Sequence, residues 1–442
     1  MRIAKRAETS RPRVLIVTCG FIPQASPHAV FWAPAAGYLA EAGADVRVLT
    51  LSERDLLALT PPDWDLSRSM SPLVPVERIG GSILRGLVRK RSVRGERLRK
   101  VKANPLAQLL FPDPYMDCII PLIRRGLEIT RSWRPAVVLS VAYPWSAHLA
   151  GWCLAGMRRA RWVAYYGDPW IQNPASDLPR AGWRRPVDAC LEKMLLRKAA
   201  RVMVTTEKTK SLYEETFPFL GRKVDVLRFG YSSPGRAEDE PADIRDIRAP
   251  GDRRIWIVHT GRIYRGARSP EPLLRALVKL RGQNPGAEAG ILVCLVGEVD
   301  GETREQIESW GLGSTVRLVP WVPQCEMRRW FKAADWLLLL GNRGGLQVPS
   351  KVYDYLGARK PVLMLEEWPE DETSMIIRDV DAGWIVKNTA ESIATFLRSA
   401  LAGGLRAPSY SGRRAAGDFA REAEFEHCRR IILDCLDDGF PG

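Results

Sequence analysis

The chain has 442 residues, 46% hydrophobic and 26% charged, too many for one ordinary core and ordinary in balance for a two-domain globular protein. Its 66 Lys and Arg against 51 Asp and Glu give a net charge of +15 and a pI near 9.6, which points to phosphate-rich ligands, nucleic acid or an anionic surface without choosing among them. Eight cysteines with no C-x-x-C pair, and four histidines without ligand-type spacing, argue against a disulfide framework and a structural zinc site.

The first 13 residues are basic and lack an apolar core, so no signal peptide is expected. No apolar run approaches the roughly 20 residues that cross a bilayer. The expectation is a cytoplasmic protein, with peripheral contact to the inner face of the membrane left open. Residues 14–18 read as a strand, followed by a loop from Cys19 to Ala29, a helix to residue 42 and a strand at 45–51, with Gly43 as the helix stop. This is an opening βαβ unit. Its loop lacks G-x-G-x-x-G, so no dinucleotide cofactor is indicated, and no cofactor of any kind is expected.

From Arg85 to Lys102 the chain holds nine Lys or Arg and one Glu, mixed with aliphatic residues. The run reads either as a solvated insertion or as a basic amphipathic arm on anionic lipid, each basic residue there being worth about 1 kcal/mol. No aromatic residues are interleaved for base stacking, so nucleic acid is not an expected partner. Strands then alternate with helices. Residues 136–141 lead to a helix carrying His148, and 162–166 end in Gly167-Asp168-Pro169-Trp170. A helix at 188–200, a strand at 201–205, a helix at 207–214 and a strand at 224–227 follow. Residues 232–252, polar and rich in Pro, Gly and charge, read as an interdomain linker.

The alternation restarts with a strand at 255–260 that gives Gly261-Arg262. Strands at 291–296, 316–319, 336–340, 362–365 and 384–386 follow with helices between them, and a last helix covers about 415–435. The expectation is an α/β chain of two Rossmann-like domains facing a central cleft. Their bounds are 12–231 and 253–410 around the 232–252 linker. The C-terminal helix, within 411–442, is expected to cross back to the first domain. Ligands in such sheets bind beyond the carboxyl ends of the strands.

Between strands 336–340 and 362–365 stands Val348-Pro349-Ser350-Lys351-Val352-Tyr353-Asp354-Tyr355-Leu356. Pro349 suits a first helical turn, and Ser350 and Lys351 would stand at the helix's positive end, where an anion is attracted. Asp354, one turn on, can accept from a ribose diol. A diphosphate with a sugar beside it fits this pattern; so does a plain βα unit with a polar loop.

In order and spacing, the chain resembles the retaining family 4 glycosyltransferases of GT-B fold over roughly residues 12–405. The resemblance rests on Gly167-Asp168-Pro169-Trp170, Thr260-Gly261-Arg262, Leu295-Val296-Gly297, Val319-Pro320-Trp321-Val322-Pro323, Ala333-Ala334-Asp335 and the Pro349-Ser350-Lys351 segment with Lys360-Pro361. It implies transfer of a sugar, with retention, from a nucleotide-diphosphate sugar, a UDP-sugar foremost, to an acceptor hydroxyl whose carrier the sequence does not name. It further implies Arg262 and Arg268 on the donor diphosphate, Asp354 on the ribose, Gly20 at the loop approaching the diphosphate, and Asp168 near the place of the family's catalytic His. His28 and His148 stand on the acceptor side. No metal is implied. The family's E-x7-E motif would put its first Glu at Leu346, and none is there, which leaves the donor sugar open. Two rivals share the fold: a non-catalytic nucleotide-sugar-binding relative, and a nucleotide-sugar epimerase.

Overall fold

The computed structural model describes residues 11–57, 62–80, 110–173, 182, 184–232, 243–263, 269–283, 286–342 and 345–437. The chain divides into two compact units. The first takes the described residues up to Arg228 and those from Glu424 onward; the second runs Phe229–Ala423. The run from Arg85 to Lys102, apart from its sequence, lies outside the described residues, as does Arg268.

The first unit is a seven-stranded parallel sheet in the order β3-β2-β1-β4-β5-β6-β7. Its strands are β1 (Arg13–Thr18), β2 (Asp45–Thr50), β3 (Val76–Arg78), β4 (Val137–Ala142), β5 (Arg161–Tyr166), β6 (Arg201–Val204) and β7 (Val224–Val226). β4 and β5 are buried along their whole length, as strands covered on both faces must be. Helix Pro27–Glu41 follows β1. Pro27 occupies its first turn, and the Ser26 hydroxyl accepts from the Ala29 N–H at 3.3 Å, so the helix starts where the sequence supplies a cap. Order reverses between β1 and β4, which places the ligand crevice of such a sheet at the ends of those two strands. The end of the chain completes this unit. Phe425 packs 5.3 Å from Phe31 and 5.7 Å from Tyr38, and the Arg228 N–H donates to Glu424 at 2.9 Å.

The second unit is a six-stranded parallel sheet in the order β10-β9-β8-β11-β12-β13. The strands are β8 (Ile255–Thr260), β9 (Ile291–Val296), β10 (Val316–Val319), β11 (Trp336–Leu340), β12 (Val362–Glu366) and β13 (Gly383–Lys387). Its order reverses between β8 and β11. Both units are therefore Rossmann-like, built as the alternation of strands and helices predicts.

Four local features differ from the sequence reading. The helix expected from 188 begins at Arg184, because Arg184 is buried and bonds Asp188 at 3.3 Å and the Leu110 carbonyl at 3.1 Å. Residues 243–252, read as linker, pack on the second unit. There Ile247 is buried, and the Arg248 guanidinium bonds Asp335 and the Ala333 carbonyl and lies over Trp256. The last helix is broken: a 3-10 turn, Ala416–Phe419, precedes helix Arg421–Asp437, and Ala420 is extended between them. The cause is a short bridge to Tyr231, whose N–H donates to the Phe419 carbonyl and whose carbonyl accepts from Arg421. Finally, helix Lys351–Ala358 starts two residues after Pro349. Pro349 does not sit in the first turn; its carbonyl accepts from the Val352 N–H at 3.0 Å. Among the described residues no helix is long and apolar enough to cross a membrane.

Candidate functional site

In the second unit, chemistry gathers where β8 ends. Gly261 has φ +110° and Gly297, at the end of β9, φ +133°, conformations that side chains resist. A Cβ on Gly297 would lie 2.6 Å from the Gly261 carbonyl, and one on Gly261 only 2.8 Å from the Lys351 ammonium. The lysine head group thus occupies the space that the missing Cβ leaves. Its Nζ lies 3.2 Å from Nε2 of His259, a residue fully buried in β8. One turn further along the same helix, the Tyr355 hydroxyl accepts from the Thr260 N–H at 3.0 Å. Lys351 and Tyr355 together fix the helix start over β8.

The positive end of this helix relies on the Lys351 charge and the macrodipole more than on open amides. The N–H groups of Val352 and Tyr353 already donate to the Pro349 and Ser350 carbonyls. Ser350 is the cap residue, with helical backbone and no side-chain capping bond. Arg262 stands on the same edge and forms an ion pair with Glu298 at 2.6 Å; both side chains are about half exposed or more. An exposed pair of this kind is worth at most about 1 kcal/mol, so a diphosphate can exchange for the glutamate.

Asp354 lines a pocket of about 260 Å³ with Tyr231, Met327, Arg328 and Phe331. Burial pushes its carboxyl above the usual carboxylate range, and the charges of Arg421, Arg328 and Lys351 pull it back. Among the described residues its carboxylate makes no hydrogen bond and no ion pair. A carboxylate in a pocket, facing cations without being tied to them, can accept from a vicinal diol. The structure thus brings Lys351, Ser350 and Arg262 to the end of β8, with Pro349 just before the helix, while Asp354, one helical turn on, lies in a pocket that none of these three lines.

In the first unit, the Gly167–Trp170 turn follows β5 and is held at several points. The Gly167 N–H donates to the Ala142 carbonyl at 2.8 Å, and the Thr205 hydroxyl donates to the Gly167 carbonyl at 3.1 Å. Trp170 stacks on Trp145 at 4.8 Å with planes 4° apart. Beneath the turn, the buried Glu192 carboxylate accepts from the N–H groups of Trp170 and Ile171 at 3.2 and 3.3 Å and from the Tyr213 hydroxyl at 2.7 Å. Asp168, half-buried, sits on this fixed turn. His28 is brought against it: a Cβ on Gly167 would lie 2.4 Å from the imidazole of His28. Burial lowers His28 to about 4, so its ring is neutral near pH 7. Gly20 lies in the loop that leads into the helix carrying His28, its N–H on the Thr18 hydroxyl at 3.1 Å.

His148 is elsewhere. It is fully buried, its Nδ1 lies 2.8 Å from the Ser140 hydroxyl, and its ring packs 4.4 Å from Tyr166. Burial lowers its pKa to about 3. It is a core histidine, and the acceptor-side expectation does not hold for its position. Two residues escaped the sequence reading. His259 had a signal, a basic side chain inside the apolar run Ile255-Trp256-Ile257-Val258-His259. Glu192 had none beyond being one charge in a charged helix.

Residues 28–230 match the family model of the glycosyl transferase 4-like domain. No curated protein sequence matches the chain. Among solved structures, sucrose-phosphate synthase from Thermosynechococcus elongatus superposes with a TM-score of 0.68 at 15% identity, covering 97% of this chain and all of that one. Anabaena Alr3699/HepE, in complex with UDP and glucose, gives 0.62 at 13% identity over 96% of this chain and all of its own. The UDP-GlcNAc 2-epimerase from Neisseria meningitidis, bound to UDP-GlcNAc, gives 0.56 at 14% identity with 96% and 100% covered. Residues 28–230 are thus similar to the glycosyl transferase 4-like domain, and the fold of the chain is that of the GT-B glycosyltransferases.

Proposed function

We propose that this protein transfers a sugar from a nucleotide-diphosphate sugar, a UDP-sugar foremost, to an acceptor hydroxyl on a glycan, glycolipid or natural product, with retention of configuration. The observation that carries this reading is a lysine ammonium under a glycine at the end of β8 and, one helical turn on, a carboxylate in a pocket without hydrogen-bond partners among the described residues. In this reading Lys351 and Arg262, with Arg268, neutralise the charge that develops on the departing diphosphate, a preorganised electrostatic effect often worth several kcal/mol. Asp354 holds the ribose. Asp168 faces the sugar or the acceptor hydroxyl, with the neutral His28 beside its turn. Retention follows from the family 4 resemblance, and the residues named require no metal.

The test is a thermal-shift screen of UDP-, GDP- and dTDP-sugars, followed by product analysis with EDTA present. A ligand at about 100 times its dissociation constant adds about 2.7 kcal/mol to stability; a chain that none of these donors stabilises is not a glycosyltransferase of this kind. The epimerase neighbours motivate a second reading. It requires that donor alone, without acceptor, turns into an isomer, whereas a non-catalytic relative would bind donor and leave it intact, without transfer or hydrolysis. The peripheral-membrane reading rests on the basic run from Arg85 to Lys102. It requires salt-sensitive binding to anionic vesicles, lost when the run is deleted.

A further inference from the structure

We infer that His259 is a positioning residue: it holds the Lys351 ammonium where the donor diphosphate must lie. This rests on the reading of the β8 edge as a diphosphate site. Three observations carry it. First, the two ring nitrogens have different partners. Nδ1 lies 2.9 Å from the Leu338 carbonyl, which can only accept, so Nδ1 carries the hydrogen. Nε2 then presents a lone pair, and the Lys351 Nζ lies 3.2 Å from it. The ammonium donates and the imidazole accepts.

Second, the partner is neutral. A carboxylate beneath Lys351 would fix the side chain equally well but cancel the charge that a diphosphate needs. An imidazole acceptor fixes it without bringing a negative charge against it. A free lysine side chain loses rotamer entropy when it is fixed, so orienting it beforehand removes that cost when the anion binds. Third, the surroundings keep the pair in register. His259 is fully buried, Gly261 lacks the Cβ that would displace the ammonium, and Tyr355 ties the next helical turn to Thr260.

The test uses two amides that each keep half of the imidazole. In His259→Asn the short amide can donate to the Leu338 carbonyl but cannot reach Lys351. In His259→Gln the longer amide can offer its oxygen to Lys351. Calorimetry on the full chain compares whichever of UDP, GDP or dTDP the parent binds best with the matching nucleoside, and the ratio of the two affinities isolates the diphosphate. The expected result is a ratio reduced about tenfold or more in His259→Asn and largely retained in His259→Gln, with nucleoside affinity within about twofold of the parent in both. His259→Asn should add little further loss in a Lys351→Met background, because both changes remove one interaction. A His259→Asn ratio equal to the parent's, equal losses in Asn and Gln, or losses that multiply with Lys351→Met would each overturn the inference while leaving the nucleotide site standing. A parent that binds no nucleotide overturns the site reading, and the inference with it.

Discussion

Asp354→Asn is the sharpest probe of the ribose assignment. The parent carboxylate offers two equivalent acceptor oxygens to a diol and has no hydrogen bond or ion pair among the described residues to give up first. Hydrogen bonds to a charged acceptor contribute about 1.5–3 kcal/mol net. The amide keeps one weaker acceptor and puts a donor where the second hydroxyl points, so most of that is lost. At about 1.4 kcal/mol per factor of ten, nucleoside affinity should fall roughly 10- to 100-fold. Because the loss falls on the ribose, nucleoside and nucleoside diphosphate should weaken by the same factor, the reverse of the pattern expected around Lys351. Stability should change by less than about 1 kcal/mol, since removing the buried charge relieves desolvation while surrendering the attraction of Arg421, Arg328 and Lys351. There is also a pH signature. Burial raises the parent carboxyl, so on acidification nucleoside affinity should begin to fall at a higher pH than an ordinary aspartate would dictate, and the Asn variant should lack that fall. Calorimetric titration with nucleoside and diphosphate at several pH values checks all of this. Unchanged nucleoside affinity, or a loss confined to the diphosphate, would refute the assignment.

Gly261→Ala forces a Cβ into a left-handed φ and against the Lys351 ammonium; it should cost about 1–3 kcal/mol in urea unfolding and weaken diphosphate more than nucleoside, and parental values in both assays would contradict the packing described. Asp168→Ala should lower transfer by about a hundredfold or more with donor affinity little changed; a parental rate would move the role to His28 and the loop from Gly20 before it. The core histidine predicts an acid sensitivity whose sign is fixed. His148 titrates at about 3 when folded, against about 6.5 when unfolded, so below pH 6.5 the unfolded chain binds the extra proton and stability rises with pH across that window. Lowering the pH from 7.5 to 5 should cost about 2 kcal/mol through this residue, read as a shift in the urea midpoint that His148→Gln reduces.

Much of the scaffold was legible because a parallel sheet buried on both faces writes continuous apolar runs, as in Val137–Ala142 and Ile291–Val296, separated by helices of another period. Candidate residues carried on the chain next to those runs could be picked out too: Gly261 and Arg262 at a strand end, Lys351 and Asp354 at a helix start. What was not legible depends on contacts far along the chain. Arg421, whose charge faces Asp354, lies 67 residues away in sequence, and Glu192 reaches Trp170 from the middle of a helix with no pattern to mark it. Residues 243–252 misled in the other direction. Their composition is a linker's, yet a single Ile247 and an arginine with backbone carbonyls to bond are enough to seat them. His148 looked like a site residue because it follows a strand end, but it lies on the face of its helix that turns inward.

The placement of Glu424 and the residues after it has a consequence for how the protein is made. On a ribosome, the strands of the first unit emerge first, yet Phe425, which covers Phe31 and Tyr38, comes only after the whole of Phe229–Ala423 has been synthesised. At about 5–20 residues per second those roughly 195 residues take about 10–40 s. For that time the earliest-made unit waits with an aromatic patch uncovered while the later one can close, so the unit begun first is finished last.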